Sequence, residues 1–380
     1  MDVTLSKVQQ DIAKEARRFL EKECPIDYAR AMFEDDLGFK QDVWSKMAEM
    51  DWMGIHIPES YGGLDMGQID LTLVLEQMGR AVLPGPFFST VMLASEAIIE
   101  AGSHSQRDYF LPKIAKGEIK GTLALYEEDG GADPGYIQMQ TGAIADGFVL
   151  NGTKLFVLDA HVADFMIVAA RTSNNPNLDR SVTLFIVDTD TKGLSTTRLQ
   201  TIDGTRKLCA VQFDDVQVKQ TQILGELHGG WKPLSKALQR AQVGLSAECV
   251  GGAQRAMEIA VAHAKIRRQF GKPLGAFQTI KHRCAQMFVE VESSRSLLFW
   301  ASCLQDDGEP KEAALSASVA KTYCSESYTQ VSRNALQILG ATGFTWESDI
   351  HLYLKRAKFN EMAFGDPFFH REQLMKLITG

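Results

Sequence analysis

The sequence predicts a mainly α protein with a central β domain, and two switches of hydrophobic period along its 380 residues predict it. Apolar residues recur at helical spacing up to about Gly121, fall into short strand-length runs up to about Gly225, and return to helical spacing from Trp231. A chain of this length exceeds one compact core and suits two or three domains. The expected division is an N-terminal helical domain over 1–121, a small antiparallel β-barrel or sandwich over 122–225, and a C-terminal four-helix-bundle domain over 226–380.

In the first region the stretch Met1–Gln10 is polar and helix-like, without the apolar core of a signal peptide. Ile12, Ala16, Phe19 and Leu20 share one helical face, as do Leu71, Val74, Leu75 and Met78. Turn signals stand at Pro58 to Gly63 and at Pro84-Gly85-Pro86, and Leu111-Pro112 is expected to open a further short helix. In the second region Gly147 to Val157 reads as a β-hairpin with its turn at Asn151-Gly152. Phe165 to Ala170, Val182 to Val187 and Leu208 to Phe213 read as further strands. In the third region Leu234, Leu238, Leu245, Val250, Met257 and Val261 mark a long helix. Three more follow at about Phe277 to Leu304, Pro310 to Gly340 and Ser348 to Ala363. Glu290, Glu292 and Arg295 read as a solvated stripe on the second of these.

Composition narrows the function. A net charge of −8 argues against nucleic acid as the main ligand. No run of about 18 apolar residues exists that would span a membrane. The six cysteines are scattered without a C-x-x-C pair and fit buried thiols of a reducing, cytoplasmic compartment. The histidines form no H-E-x-x-H, so no metal site is expected.

Three motifs then stand in order on the expected elements. Arg267-Arg-Gln-Phe-Gly-Lys-Pro-Leu-Gly-Ala-Phe-Gln278 follows R-x-x-F-G-x-x-[IL]-x-x-F-Q, Gln337 to Phe344 follows Q-x-x-G-G-x-G-[FY], and Asn151-Gly-Thr-Lys154 follows N-G-x-K. With the helix–strand–helix order, they make the whole chain resemble the acyl-CoA dehydrogenase family. The resemblance implies FAD as cofactor, an acyl-CoA substrate, oxidation of a CH–CH group, and an electron-transfer flavoprotein or similar acceptor. It also implies that Arg267, Phe270, Gln278, Gln337, Gly340 and Gly343 hold the pyrophosphate and adenosine end of a neighbouring subunit's FAD. The chemistry fits: a diphosphate wants guanidinium and exposed backbone N–H, and glycine admits close approach. Ala341 replaces one glycine of the pattern.

The resemblance fails where the family keeps its base. A Cα–H beside a thioester needs a positioned carboxylate to remove it. The Y-E-G-T segment that carries this glutamate falls on Ala363-Phe-Gly-Asp366, so Phe364 stands at the base position. The alternative base site on the preceding long helix falls on Ala241, followed by Gln242 in place of an arginine. The flavin-ring pattern T-E-P-x-x-G-S-D becomes Tyr126-Glu-Glu-Asp-Gly-Gly-Ala-Asp133, and W-I-[ST] becomes Phe156-Val157-Leu158. The retained half serves a neighbour's FAD; the altered half would serve this chain's own.

This division, with Leu354-Lys-Arg-Ala-Lys358 and His370-Arg371, resembles one subunit of the bacterial heteromeric acyl-CoA dehydrogenases. The expectation is a chain that lacks a standard base and donates an FAD half-site to a base-bearing partner. Two alternatives stand beside it. One is a self-sufficient enzyme with a relocated carboxylate at Asp366 or Glu248, or at Asp159 near the ring. The other is a redox-inactive scaffold that binds acyl-CoA.

Overall fold

The computed structural model describes residues 5–379, so Met1 to Thr4 of the polar N-terminal stretch lie outside the described residues. The chain forms two compact units, each discontinuous in sequence. One gathers the residues up to Ala31, Gln68–Leu83 and everything from Gln242 onward; the other gathers Met32–Gly67 and Pro84–Ala241.

The second unit contains α3 (Gln41–Glu49), a π-helical segment (Phe88–Ser95), α5 (Glu96–Ala101), α6 (His104–Ala115) and eight strands. The strands are β1 (Gly121–Ala124), β2 (Thr141–Ile144), β3 (Gly147–Leu158), β4 (Phe165–Arg171), β5 (Val182–Asp188), β6 (Leu194–Leu199), β7 (Leu208–Lys219) and β8 (Ile223–Leu224). They make two sheets, ordered β1-β4-β5-β8 and β2-β3-β7-β6. Leu150, Val211 and Val218 of one sheet share a core with Met166, Val168 and Phe185 of the other, which makes the domain a sandwich. One pair departs from the antiparallel expectation: β1 lies parallel to β4. A parallel pair needs a long crossover, and β2 and β3 supply it by running through the other sheet.

Two expectations about local structure are corrected in this unit. There is no hairpin at Asn151-Gly152. β3 runs unbroken through it beside β7, with a register shift between Leu150 and Gly152. Opposite, Asp215 takes φ 50°, and its backbone N–H donates to Asn151 Oδ1 (2.8 Å) while Asn151 Nδ2 donates to Asp215 Oδ1 (2.9 Å). The side-chain amide thus fills the gap of a β-bulge, a second use for a turn-like residue pair. Nor does Pro112 open a helix: α6 starts eight residues earlier, at His104, because Ser103 and Gln106 form a capping box there.

The first unit contains α1 (Lys7–Glu23), α4 (Gln68–Ala81), most of α7 (Trp231–Ile266), α8 (Gln278–Asp307), α9 (Pro310–Leu339), α10 (Ile350–Met362) and α11 (Pro367–Thr379). The boundary between the two units' first segments falls inside α2 (Ile26–Glu34). Ser6 and Gln9 cap α1 in the same reciprocal way. α4 and α7 approach backbone to backbone: a Cβ on Gly251 would lie 1.7 Å from the Glu76 carbonyl oxygen, and one on Gly79 would lie 2.1 Å from that of Glu248. Arg295 is not part of a solvated stripe. It turns inward from α8 to Glu76 of α4 (3.0 Å) while also meeting Glu292. α11 was not expected; the charged run Lys355 to Lys358 and the Gly365-Asp366 break suggest an end, but Asp366 restarts the helix by capping it. Among the described residues no helix is long and apolar enough to cross a membrane, and no group of His, Cys, Asp and Glu is gathered as a metal site.

Candidate active site and cofactor clamp

Phe364 is buried, and its backbone sits in the left-handed region (φ 56°), followed by Gly365 at φ 99°. For an aromatic residue that conformation is costly, so the surroundings must impose it. They do. The Phe364 carbonyl accepts hydrogen bonds from Gln242 Nε2 (3.1 Å) and His370 Nε2 (3.1 Å). Lys321, fully buried on α9, donates to the carbonyls of Glu361 (3.2 Å) and Gly365 (2.9 Å). Burial pushes the Lys321 ammonium down to about 8, against the pull of Cys249, Asp366 and Glu361. Ser318 Oγ lies 3.2 Å from His370 Nδ1, so the neutral ring carries its proton on Nε2 toward Phe364.

Burial, helped by Lys321, pushes His370 down to about 3 from its ordinary 6.5. As pH falls from about 6.5 toward 3 the unfolded chain takes a proton that the folded chain refuses, so stability is lost across that window. His370→Gln, which keeps a donor for the Phe364 carbonyl, is expected to remove most of this acid-side loss, of the order of a few kcal/mol at pH 3. Urea midpoints measured from pH 7 to pH 3 for both proteins check it. Parallel curves would contradict the assignment.

The carboxylates weighed as substitutes for a base have other partners. Asp366 caps α11 through its Oδ1, which accepts from the Phe369 N–H (2.7 Å). Glu248, 2% exposed, lies 3.5 Å from the guanidinium of Arg356, itself fully buried on α10. Asp159 is buried in the β-containing unit with φ 55° and accepts from Ser89 Oγ (2.7 Å). Ala241 is buried and apolar.

The segment matched to the flavin-ring pattern is anchored by a pair that sequence inspection did not single out. Lys154 Nζ, fully buried, meets Glu127 Oε1 at 2.6 Å and the Leu125 carbonyl at 3.2 Å. Glu127 also accepts from the backbone N–H groups of Gln138 (2.9 Å) and Met139 (3.0 Å). Asp133 caps the following turn by accepting from Gly135 N–H (3.0 Å). Motif spacing offered the signal, since glutamate and lysine both keep their family places; their pairing appears only in three dimensions. Phe156 protrudes at a second bulge of β3 with φ 54° and 47% exposure, and Leu158 is buried.

The six residues matched to the diphosphate clamp lie at two places in the helical unit. Arg267 and Phe270 are exposed on the ribbon joining α7 to α8, a two-stranded piece made of Arg268–Gln269 and Lys272–Pro273, and Gln278 is exposed at the start of α8. Phe270, 90% exposed, touches Phe277 edge to face at 6.0 Å. Gln337 is exposed near the end of α9. Gly340 ends that helix at φ 66°, with open space where a Cβ would stand, whereas Gly343 is buried. Guanidinium, two carboxamides and open glycine backbone are a donor set that fits a dianionic diphosphate. Arg267, Phe270, Gln278 and Gln337 are exposed on their own chain, and only Gly343 of the six is buried.

The chain matches three domain families in order: the acyl-CoA dehydrogenase N-terminal domain over residues 6–118, the middle domain over 122–216 and the C-terminal domain over 228–378. The chain belongs to the acyl-CoA dehydrogenase family. Such a protein is an FAD-dependent oxidoreductase of acyl-CoA thioesters. Similar acyl-CoA dehydrogenases include a probable one from Bacillus subtilis, 31% identical over 99% of this chain and all of the relative. The cyclohex-1-ene-1-carbonyl-CoA dehydrogenase of Geobacter metallireducens is 30% identical over 100% of this chain and 96% of its own length. The butyryl-CoA dehydrogenase structure from Megasphaera elsdenii superimposes with a TM-score of 0.92 at 27% identity, covering both chains fully. A steroid ACAD structure, Tcur3481-Tcur3483, superimposes at 0.87 with 29% identity, covering 99% of this chain and 98% of the other.

Proposed function

We propose that this acyl-CoA dehydrogenase chain is the donor half of a paired enzyme: it lends the FAD diphosphate clamp to a base-bearing partner chain and supplies no base of its own. The observation that carries the proposal is Phe364. At the family's base position the chain puts a side chain that cannot accept a proton, on a turn held by three buried donors. The substitutes Asp366 and Glu248 serve a helix cap and a buried arginine, roles that support the same reading.

When bound, FAD supplies the acceptor for the hydride that leaves the acyl Cβ. This chain's part is to bind. Arg267, with Gln278 and Gln337, would hold the diphosphate and adenosine end, and the open backbone at Gly340 would allow close approach, with buried Gly343 packed behind it. The likeness to a steroid ACAD named for two chains supports pairing. An electron-transfer flavoprotein is the acceptor favoured by the relative from Acetobacterium woodii, a caffeyl-CoA reductase-Etf complex subunit. Free thiols at all six cysteines fit a reducing cytoplasm.

The test is FAD per chain, with solution mass. Purified alone, the chain is expected to keep little flavin. Co-expressed with a base-bearing dehydrogenase chain, it should reach one FAD per two chains and bleach with acyl-CoA, and Arg267→Ala should strip that flavin. One FAD per chain with bleaching would overturn the proposal in favour of a self-sufficient enzyme. Flavin that never binds would leave an acyl-CoA-binding scaffold.

A further inference from the structure

We propose that Lys321, His370 and Gln242 are positioning residues that form a complete holder for side chain 364, so that Phe364→Glu alone installs a base. The inference rests on the reading that the chain has no base, and extends it to the residues that would aim one.

The turn from Glu361 to His370 has three of its carbonyls tied to buried donors. Lys321 takes those of Glu361 and Gly365, and His370 and Gln242 share that of Phe364. Asp366 fixes the far end by capping α11, with the His370 N–H donating to the Asp366 carbonyl (3.1 Å). Lys321 is the telling member. An ammonium with no exposed surface, held here by two carbonyl acceptors, is costly to bury, and a turn needing no fixed shape would be better served by an apolar residue. The shape itself is one that phenylalanine disfavours, φ 56° at Phe364. A holder that keeps a strained backbone at the cost of a buried cation is built to aim a side chain. None of its four hydrogen bonds to the turn's carbonyls uses the side chain of residue 364, so replacing that side chain leaves the holder whole.

With glutamate at 364, the carboxylate takes the Cα proton of a bound saturated acyl-CoA. The Cα–H bond breaks, an O–H bond forms, and the electron pair remains as the thioester enolate. Return of a solvent deuteron from the exchanged carboxyl leaves Cα–D, so in heavy water the step is visible without net oxidation.

Two measurements test this on the full-length chain purified without a base-bearing partner, whose own base would exchange the same proton. In the first, amide hydrogen exchange is followed across 363–370 in Lys321→Met and in Gln242→Leu. Those amides are expected to exchange roughly ten-fold faster or more while the middle of α9 keeps its protection. Equal loosening throughout α9–α11, or no change, would mean that these residues merely stabilise the bundle, and the proposal fails. In the second, Cα deuteration of a saturated acyl-CoA is measured by mass spectrometry. Phe364→Glu is expected to raise it by about 10²-fold over wild type, and adding Lys321→Met to lose at least about ten-fold of that gain. His370→Gln, which retains a donor, should keep the gain, whereas His370→Leu should not. No deuteration with a folded Phe364→Glu chain overturns the holder. Wild-type deuteration at the same rate would instead overturn the reading that the chain lacks a base, leaving the exchange result on Lys321 intact.

Discussion

Glu127→Gln is expected to cost the fold roughly 3–5 kcal/mol, because it leaves the Lys154 ammonium buried without its counter-charge. Lys154 has no exposed surface, and burial already pushes it down to about 8 despite Glu127 beside it. The carboxylate does more than neutralise. It gathers the backbone N–H groups of Gln138 and Met139, so it ties the 126–139 segment to β3 at both ends. A carboxamide offers one acceptor oxygen for three donors and turns an N–H₂ toward at least one of them. The double variant Glu127→Leu with Lys154→Met should recover the part due to the unpaired ammonium, since a buried pair costs nearly as much to desolvate as it returns, but not the part due to the Gln138 and Met139 N–H groups. Urea midpoints of the two variants decide it. A single variant within about 1 kcal/mol of wild type would mean that the pair is not what anchors the segment. The functional consequence is local: Tyr126 and Ala132, which align with the flavin-ring pattern, ride on that segment.

Gly251→Ala is expected to destabilise the helical unit by about 3 kcal/mol or more, and the sign matters more than the size. Helix propensity alone favours alanine over glycine by about 1 kcal/mol inside a helix such as α7. Contact decides otherwise. The new Cβ would stand 1.7 Å from the Glu76 carbonyl oxygen and 2.9 Å from the Arg80 nitrogen, both backbone atoms of α4 that no rotamer change can move. The helices would have to part, and the bond that crosses them, Arg80 to Glu258 (2.9 and 2.5 Å), would go slack. Thermal melts of Gly251→Ala beside Gly62→Ala distinguish contact from strain, since Gly62 has positive φ but open space around it. An unchanged Gly251→Ala melt would show that the crossing is looser than this geometry.

How much of this could be read in advance depends on which contacts are local. Leu234, Leu238 and Leu245 mark α7 because helical spacing is a property of neighbours along the chain, and the helices about Pro310 and Phe277 declare themselves by proline and by period. The strands over Phe165 and Val182 were legible as apolar runs for the same reason. Asn151-Gly152 misled because the same two residues suit a tight turn and a bulge, and only Asp215, 64 positions away, decides between them. Lys154 and Lys321 were invisible as holders because lysine in a sequence reads as surface. Arg295 misled likewise, its partner Glu76 being 219 residues distant. At the candidate site, motif matching singled out candidate clamp residues and the position of Phe364. It could not tell that the turn around Phe364 is held from three sides.

The amide that closes the β3–β7 bulge also sets a clock on the protein. An asparagine followed by glycine is the pair most prone to lose its side-chain amide on storage, through attack by the next backbone nitrogen. In the native chain that attack is hindered, since Asn151 lies in an extended strand with its amide engaged as both donor and acceptor by Asp215. Once lost, the amide leaves a carboxylate facing the carboxylate of Asp215, with Asp214 alongside, and like charges directly across a strand pair repel. Ageing of this protein should therefore begin from partly unfolded molecules, and once begun should unbutton the sandwich at its bulge.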